Sequence, residues 1–151
     1  MKILTLPNKL LRRVARPLDK ITPLRRKKVK RMLKLMHNSR GIGLAAPQVG
    51  WNVQLFVMNV TQDPSNDLVF INPEVVEEGG GTWIMDEGCL SIPGVSAPVE
   101  RNLKVTVKAR GLDWEEFELT DNDMAGRCML HEIDHLSGVL FTDKIKAPNE
   151  S

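Results

Sequence analysis

His131-Glu132-Ile133-Asp134-His135 matches the pattern HExxH and is the most informative segment of this sequence. An α-helix completes one turn in about 3.6 residues, so histidines four positions apart project from one face and can bind one divalent ion together. Glu132 then lies beside a metal-bound water molecule instead of on the metal, as in metal hydrolases that use this pattern. Apolar residues flank the segment and Gly138 follows it, which predicts a buried helix that ends at a glycine.

A third metal ligand has to come from elsewhere, since catalytic zinc-type sites usually have three protein ligands and one open position. Cys89 follows a glycine and precedes an apolar residue, a setting that suits a thiolate ligand. Free cysteines are as often small buried apolar residues, so spacing alone leaves both interpretations open. A zincin-like peptidase would need a ligand after His135, where only Asp143 and Glu150 are offered, with no further histidine.

The composition is that of an ordinary globular protein. The chain has 151 residues, of which 42% are hydrophobic and 26% charged, and its formal net charge is +2. We expect one catalytic domain over residues 1–146 and a flexible tail over 147–151. No apolar run approaches the ~20 residues that a membrane helix needs, and the two cysteines provide no disulfide framework. These features favour a reducing compartment and neither export nor membrane insertion.

The periodicity of the sequence predicts an α+β fold. Thr22 and Pro23 are typical of a helix start, and apolar residues at helical spacing continue to about Asn38. Small residues over 41–50 predict a tight loop. Strands are predicted over residues 53–60, 68–71, 103–110 and 114–119, the last two as a hairpin. The prediction is a domain in which short, mostly antiparallel strands wrap around a central HExxH-bearing helix.

The first predicted helix is strongly basic. It carries seven cationic residues: Arg25, Arg26, Lys27, Lys28, Lys30, Arg31 and Lys34. Such a run is usually a solvated helix face, and the alternative is a surface that binds RNA.

Three segments carry motifs that occur together in a known family. Residues 41–48 are GIGLAAPQ, residues 87–91 are EGCLS, and residues 131–135 are HEIDH. They resemble the motifs GxGxAAxQ, EGCLS and HExDH of the peptide deformylases, hydrolases that remove the formyl group from N-formylmethionine on new polypeptides. The order of the motifs and the segment 6–18 are also similar, so the resemblance covers nearly the whole chain and implies a peptide deformylase-like fold.

The resemblance implies a metal site and a set of ions. Cys89, His131 and His135 would hold one divalent metal per chain. Fe(II) would be the ion in the cell, while zinc, nickel or cobalt would be possible in purified protein. The donor set by itself suits zinc equally well.

The resemblance also implies a mechanism. Metal-bound water would attack the formyl carbon, with Glu132 as general acid/base, and formate would be released. Gln48 and the backbone N–H of Leu90 would donate hydrogen bonds to the oxyanion. A non-catalytic RNA- or ribosome-binding protein with the same fold would have no need of this complete set.

For the substrate, the resemblance implies an added strand near Gly43 and Gly88, with the methionine side chain in an apolar pocket. Ile42 is a candidate pocket wall, although it could equally be a core residue. Arg127 stands one turn before the first histidine, where the family commonly has an aliphatic residue. It is either a solvated side chain or a pocket residue that changes the preference at the methionine site or contacts a peptide carbonyl.

Further residues near the HExxH segment have expected roles. Leu130 replaces the glutamine usual in the family, which we expect to change the surroundings of the site without loss of metal binding. Cys128, three positions before His131, is interpreted as core packing, and the alternative is that it approaches the metal. The resemblance implies that Asp134 pairs with Arg101 and so anchors the helix.

The expected partners are formylmethionyl nascent peptides. Many relatives add a C-terminal helix, whereas this chain stops soon after Asp143. A transient ribosome contact would then fall to the basic helix of residues 25–34. The resemblance implies a monomer in the cytoplasm of a bacterium, or of a host cell if a virus encodes the protein, with an organelle less favoured.

Overall fold

Five antiparallel strands form one sheet, and the order of the strands in it follows the chain. The computed structural model describes residues 1–147, so of the expected tail only Ala147 is described. The strands are β1 (Gly43–Ala45), β2 (Leu55–Met58), β3 (Leu68–Cys89), β4 (Ile92–Arg110) and β5 (Glu116–Asp121). The helices are α1 (Pro23–Asn38) and α2 (Met124–Leu136), and four short 3-10 helices span Lys9–Arg12, Ala46–Val49, Pro64–Asn66 and Phe141–Lys144. The α+β prediction is confirmed.

Helix α1 begins where its capping residues predict. The Thr22 hydroxyl accepts a hydrogen bond from the backbone N–H of Arg25 at 3.1 Å, and Pro23 is the first helical residue. Val29, Met32 and Met36 are fully buried and pack against β1, β2 and the start of β3. The core therefore buries these three apolar side chains of α1, whereas Leu24 in its first turn is exposed.

Helix α2 carries the HExxH segment and packs on the other core cluster of the sheet. Met129 is fully buried there, beside a stacked pair formed by Phe56 and Phe70 with ring centroids 4.4 Å apart. The helix ends before Gly138, which has a φ of +74° as predicted for a C-terminal glycine. A Cβ at that position would collide with the carbonyl oxygen of Arg12, so glycine also permits the N-terminal segment to pass closely.

The long hairpin formed by β3 and β4 was not predicted. The strands expected over 68–71 and 103–110 are parts of β3 and β4, which pair as a hairpin with four register shifts. Pro73, Pro93, Pro98 and the glycines at 79–81 conceal this pairing in the sequence, because proline and glycine weaken a strand pattern unless bulges accommodate them. The hairpin is important for the site, since it carries Cys89 to its end.

Smaller differences concern the other strands. The predicted loop over 41–50 contains β1 and a 3-10 helix, and the strand predicted over 114–119 begins two residues later because Trp114 has a φ of +68° in the turn. Within residues 1–147, neither α-helix combines the length and apolar character that crossing a bilayer requires.

We expect Asp143→Asn to lower the free energy of unfolding by about 1 kcal/mol at pH 7. Asp143 accepts hydrogen bonds from the Arg12 guanidinium at 2.5 Å and from the Leu140 N–H at 3.0 Å. The hydrogen bond from Arg12 holds the pKa of Asp143 below its ordinary value of 3.8. Because the folded pKa is the lower one, the stabilisation is complete above the unfolded pKa and is lost as the pH falls through the folded pKa.

Urea unfolding of both proteins between pH 7 and pH 3 tests this expectation. The matched control is Glu115→Gln, an exposed carboxylate with no ion pair among residues 1–147. A stability difference for Asp143→Asn that stays constant down to pH 3 would contradict the assigned interaction.

Candidate metal centre

Cys89, His131 and His135 lie together, as the sequence predicts. Their ligand atoms all lie within 4.8 Å of one another, and the Cys89 Sγ is 3.4 Å from Nε2 of His135. Cys89 is the last residue of β3, and the two histidines project from one face of α2. Of the two ligands that the zincin alternative could use, Asp143 binds Arg12 and Leu140 instead, and Glu150 lies outside the described residues.

This donor set fits a divalent transition metal. A thiolate with two imidazoles is typical of tetrahedral sites that retain an open position. Nδ1 of His135 is buried and has no hydrogen-bond partner among residues 1–147. Burial, and then the neighbouring His131, lower the pKa of His135 to about 3, so its ring is neutral as a metal ligand must be.

The ring of His131 is oriented by a buried carboxylate that sequence reasoning missed. Nδ1 of His131 donates to Glu87 at 2.9 Å, which leaves Nε2 for a metal. Burial favours the neutral ring, but hydrogen bonds with Cys89 and Glu87 outweigh it and raise the pKa of His131 to about 10. A metal ion therefore has to displace a proton from this ring.

Glu87 is held by two arginines as well as by His131. Arg101 donates to both carboxylate oxygens, at 2.6 and 2.9 Å, and Arg127 donates at 2.5 Å. Burial alone would raise the pKa of Glu87, but the hydrogen bonds from His131 and Arg101 lower it to about 2. The carboxylate is thus ionised across the ordinary pH range and can fix the position of the imidazole.

Glu132 is a buried carboxylate beside the ligand set. It is 3% exposed, and its Oε1 has no hydrogen-bond partner in the described part of the chain. Burial raises the pKa of Glu132 to about 7, so both protonation states are accessible near neutral pH. An unpartnered buried oxygen at the wall of a cavity suits a group that exchanges a proton with a bound molecule.

Gln48 has a fixed amide orientation. Its Oε1 accepts from the Ala45 N–H at 2.9 Å, which directs Nε2 towards the Ser91 hydroxyl at 3.1 Å and the Cys89 Sγ at 3.5 Å. Leu90 lies between Cys89 and Ser91 in the two-residue turn that joins β3 to β4. The Gln48 side chain and the backbone of Leu90 therefore both lie next to Cys89.

A cavity of about 480 Å³ opens beside the centre. Its walls include all of the residues that the sequence analysis named for substrate binding: Ile42, Gly43, Gly88 and Arg127. The apolar part of the wall also includes Met85, Val95 and Met124. Contact of these residues with a substrate stays a prediction.

Comparison with known proteins gives one consistent result. The family described as polypeptide deformylase matches residues 1–151. The chain belongs to the peptide deformylase family. It is 39% identical to the peptide deformylase of Chromobacterium violaceum, over 96% of this chain and 86% of that protein.

Solved peptide deformylases have the same fold. The enzyme from Legionella pneumophila has a TM-score of 0.93 at 39% identity, covering 97% of this chain and 86% of that one. The enzyme from Thermotoga maritima has a TM-score of 0.92 at 36% identity, covering 97% of both chains. Membership in this family makes the protein a metal-dependent hydrolase that acts on linear amides.

Arg127 is not the solvated side chain that one interpretation expected. It is 3% exposed, donates to the Val99 carbonyl at 3.0 Å and the Trp83 carbonyl at 2.8 Å, and lies 4.5 Å from the Trp83 ring centroid. Together with its bond to Glu87, these contacts tie α2 to β3 and β4. Partners 28 to 44 positions away gave no local signal in the sequence.

Two further expectations for α2 are confirmed. Arg101 donates to Asp134 at 2.9 Å, which anchors the helix to β4 as the resemblance implied. Cys128 is buried in the core cluster around Phe56 and Phe70. Leu130 belongs to the same cluster, so its side chain is accommodated as an ordinary core residue.

We expect Glu87→Gln to weaken metal binding by roughly 10- to 100-fold, the usual effect of removing a partner of a ligating histidine. The amide keeps the shape of the side chain but loses the charge that both arginines and His131 contact. The measurement is the Kd for Ni²⁺ by competition with a chelator, on protein shown to be folded by circular dichroism.

The matched control is Asp86→Asn, which removes an exposed carboxylate one position away. Its Kd should equal that of the parent. An unchanged Kd for folded Glu87→Gln would show that the carboxylate does not orient the ligand.

Proposed function

We propose that this protein removes the formyl group from N-formylmethionine of newly made polypeptides and releases formate. The observation that carries the proposal is Glu132, a buried carboxylate with an unpartnered oxygen beside a three-ligand centre at the wall of an open cavity. Cys89, His131 and His135 would hold the metal, which we propose is Fe(II) in the cell, with zinc, nickel or cobalt possible in purified protein. When bound, the metal supplies Lewis-acid activation of water and of the formyl oxygen.

Glu132 performs the proton transfers. It accepts a proton from the water whose oxygen forms a bond to the formyl carbon. It then delivers that proton to the methionine nitrogen as the C–N bond breaks, which leaves formate and a free amino terminus. A pKa near 7, caused by burial, allows Glu132 to take up and to give up the proton at neutral pH.

Gln48 and the backbone N–H of Leu90 stabilise the oxyanion that forms on the formyl oxygen. The Gln48 amide is already oriented by Ala45 and Ser91, so it needs no reorganisation when the negative charge develops. One such donor is typically worth ~10²–10³ in turnover.

The peptide lies in the cavity as an added strand along Gly43 and Gly88. Strand β1 has an unpaired edge in the sheet order, and glycine at both positions allows close approach of another backbone. The methionine side chain then contacts the apolar wall that includes Ile42, Met85 and Met124.

The biological setting follows from the substrate. Formylated nascent peptides emerge at the ribosome, so we propose that the protein acts there, as a monomer in the cytoplasm of a bacterium or of a host cell.

Glu132→Gln tests the proposed function. We expect formate release from a formyl-methionyl tripeptide to fall by about 10²–10⁴, because the amide cannot act as general base. The measurement uses protein purified without oxygen, loaded with Ni²⁺, with metal content determined for each sample. Glu115→Gln is the control and should release formate at the parental rate. Parental release by metal-loaded Glu132→Gln would refute the assignment.

Arg127→Met tests whether Arg127 influences the choice of side chain. We expect the ratio of kcat/KM for formylmethionyl over formylleucyl peptides to change by about tenfold, since an apolar pocket distinguishes substrate side chains that differ by about one methylene by ~1–3 kcal/mol. Lys104→Met, an exposed substitution on β4, is the control. An unchanged ratio in Arg127→Met would limit this residue to holding Glu87, Trp83 and Val99.

A further inference from the structure

Four cations form a continuous row on the outward side of α1. Lys27, Lys30, Arg31 and Lys34 are all exposed, and their spacing of three and four positions places them on one face of the helix. This row is called the α1 stripe below. From Lys27 to Lys34 it extends about 10 Å along the helix axis.

The α1 stripe has no counter-charge in the described structure. Helix α1 contains no acidic residue, and none of the four stripe cations takes part in an ion pair within residues 1–147. The neighbouring Arg25 differs, since it pairs with Asp19 at 2.7 Å. Apart from the seven cations of α1, the chain has 14 cationic residues against 19 acidic ones, so the positive charge is concentrated on this helix.

This concentration does not serve the stability of the helix. Like charges three and four positions apart destabilise a helix, and cations in its first turn are unfavourable near the positive end of the helix dipole. Helix α1 is held instead by its cap at Thr22 and by the buried side chains of Val29, Met32 and Met36. The stability of the fold therefore does not account for the positive face of α1.

We propose that the α1 stripe binds the phosphate backbone of RNA. Closely spaced cations on a rigid element match a strand that carries a negative charge at every nucleotide. An anionic membrane is a poorer match, because interfacial helices insert an apolar face, whereas Val29, Met32 and Met36 of α1 are buried in the core. The proposed nascent-peptide substrate also places RNA near the protein.

The position of the stripe is compatible with catalysis. None of its four residues lines the cavity, whereas Arg40 and Gly41, shortly after the end of α1, do. RNA bound to the α1 stripe would therefore not block the cavity. It would still lie near the cavity, because the chain reaches the cavity wall shortly after α1 ends.

The experiment compares three full-length proteins. The stripe variant carries Lys27→Gln, Lys30→Gln, Arg31→Gln and Lys34→Gln. The matched control carries Lys2→Gln, Lys9→Gln, Arg13→Gln and Arg16→Gln, which removes four exposed cations from the N-terminal segment and changes the net charge equally. The probe is a fluorescein-labelled 20-nucleotide uridine RNA, and its binding is followed by fluorescence anisotropy from 50 to 200 mM KCl.

We expect the logarithm of the parental affinity to fall with the logarithm of the salt concentration at a slope of about −3, the value for four phosphate contacts to a single strand. The stripe variant should lose at least tenfold in affinity and most of this slope, and the control should keep both. No RNA binding by the parent, no loss in the stripe variant, or equal loss in both variants would overturn the proposal. Stripe-dependent binding to phosphatidylserine vesicles that is tighter than binding to RNA would also overturn it, in favour of a membrane surface.

Formate release from a short formyl peptide separates this proposal from the proposed function. The stripe variant should retain the parental rate, which shows that it is folded and that the stripe acts on docking alone. If the parent and the control bind RNA, the stripe variant loses this binding, and none of the three proteins releases formate, the proposed function fails and the RNA surface stands.

Discussion

The metal centre depends on one buried negative charge, that of Glu87. A carboxylate taken out of water is costly unless it is fully paired, and here Arg101, Arg127 and His131 all donate to it. These partners come from β4 and α2, while Glu87 itself lies on β3 two positions before Cys89. The pairing therefore joins β3 and α2, the two elements that carry the candidate metal ligands, to each other and to β4. The hairpin cannot shift relative to α2 without breaking the carboxylate's contacts and moving the cysteine.

Local signals in the sequence predicted those parts of the fold that local contacts determine. The Thr22 cap and Pro23 set the start of α1, and Gly138 sets the end of α2. The length of the β3–β4 hairpin escaped prediction because its pairing tolerates Pro73 and the glycines at 79–81 through register shifts, which appear only once both strands are aligned. A strand pattern interrupted by such residues gives no indication of continuing until its partner is known.

In the candidate site, too, the features that depend on local sequence were predicted, and those that depend on distant contacts were not. Three motifs were enough to name the ligands, Glu132 and Gln48, because each motif has a fixed residue type at a fixed spacing. The contacts that orient these residues gave no signal in the sequence. Glu87 is 44 positions from His131 and 14 positions from Arg101. Arg127 illustrates the consequence: its burial and its bonds to Glu87, Val99 and Trp83 rule out the solvated side chain, while its contact with substrate stays a prediction. Charge in a sequence becomes interpretable only when its counter-charge is located.

Gly43 connects the sheet to the chemistry of the site. A Cβ at this position would lie 2.5 Å from Oε2 of Glu132 and 2.7 Å from Sγ of Cys128, so any side chain there would force these two side chains out of their positions. The missing side chain thus lets the edge strand approach the buried carboxylate. Gly43 also lines the cavity, where the proposed extended peptide would pair with the backbone of β1. The absence of a side chain at Gly43 therefore explains how β1 can lie so close to Glu132, which the proposed pairing of a substrate strand with β1 also requires.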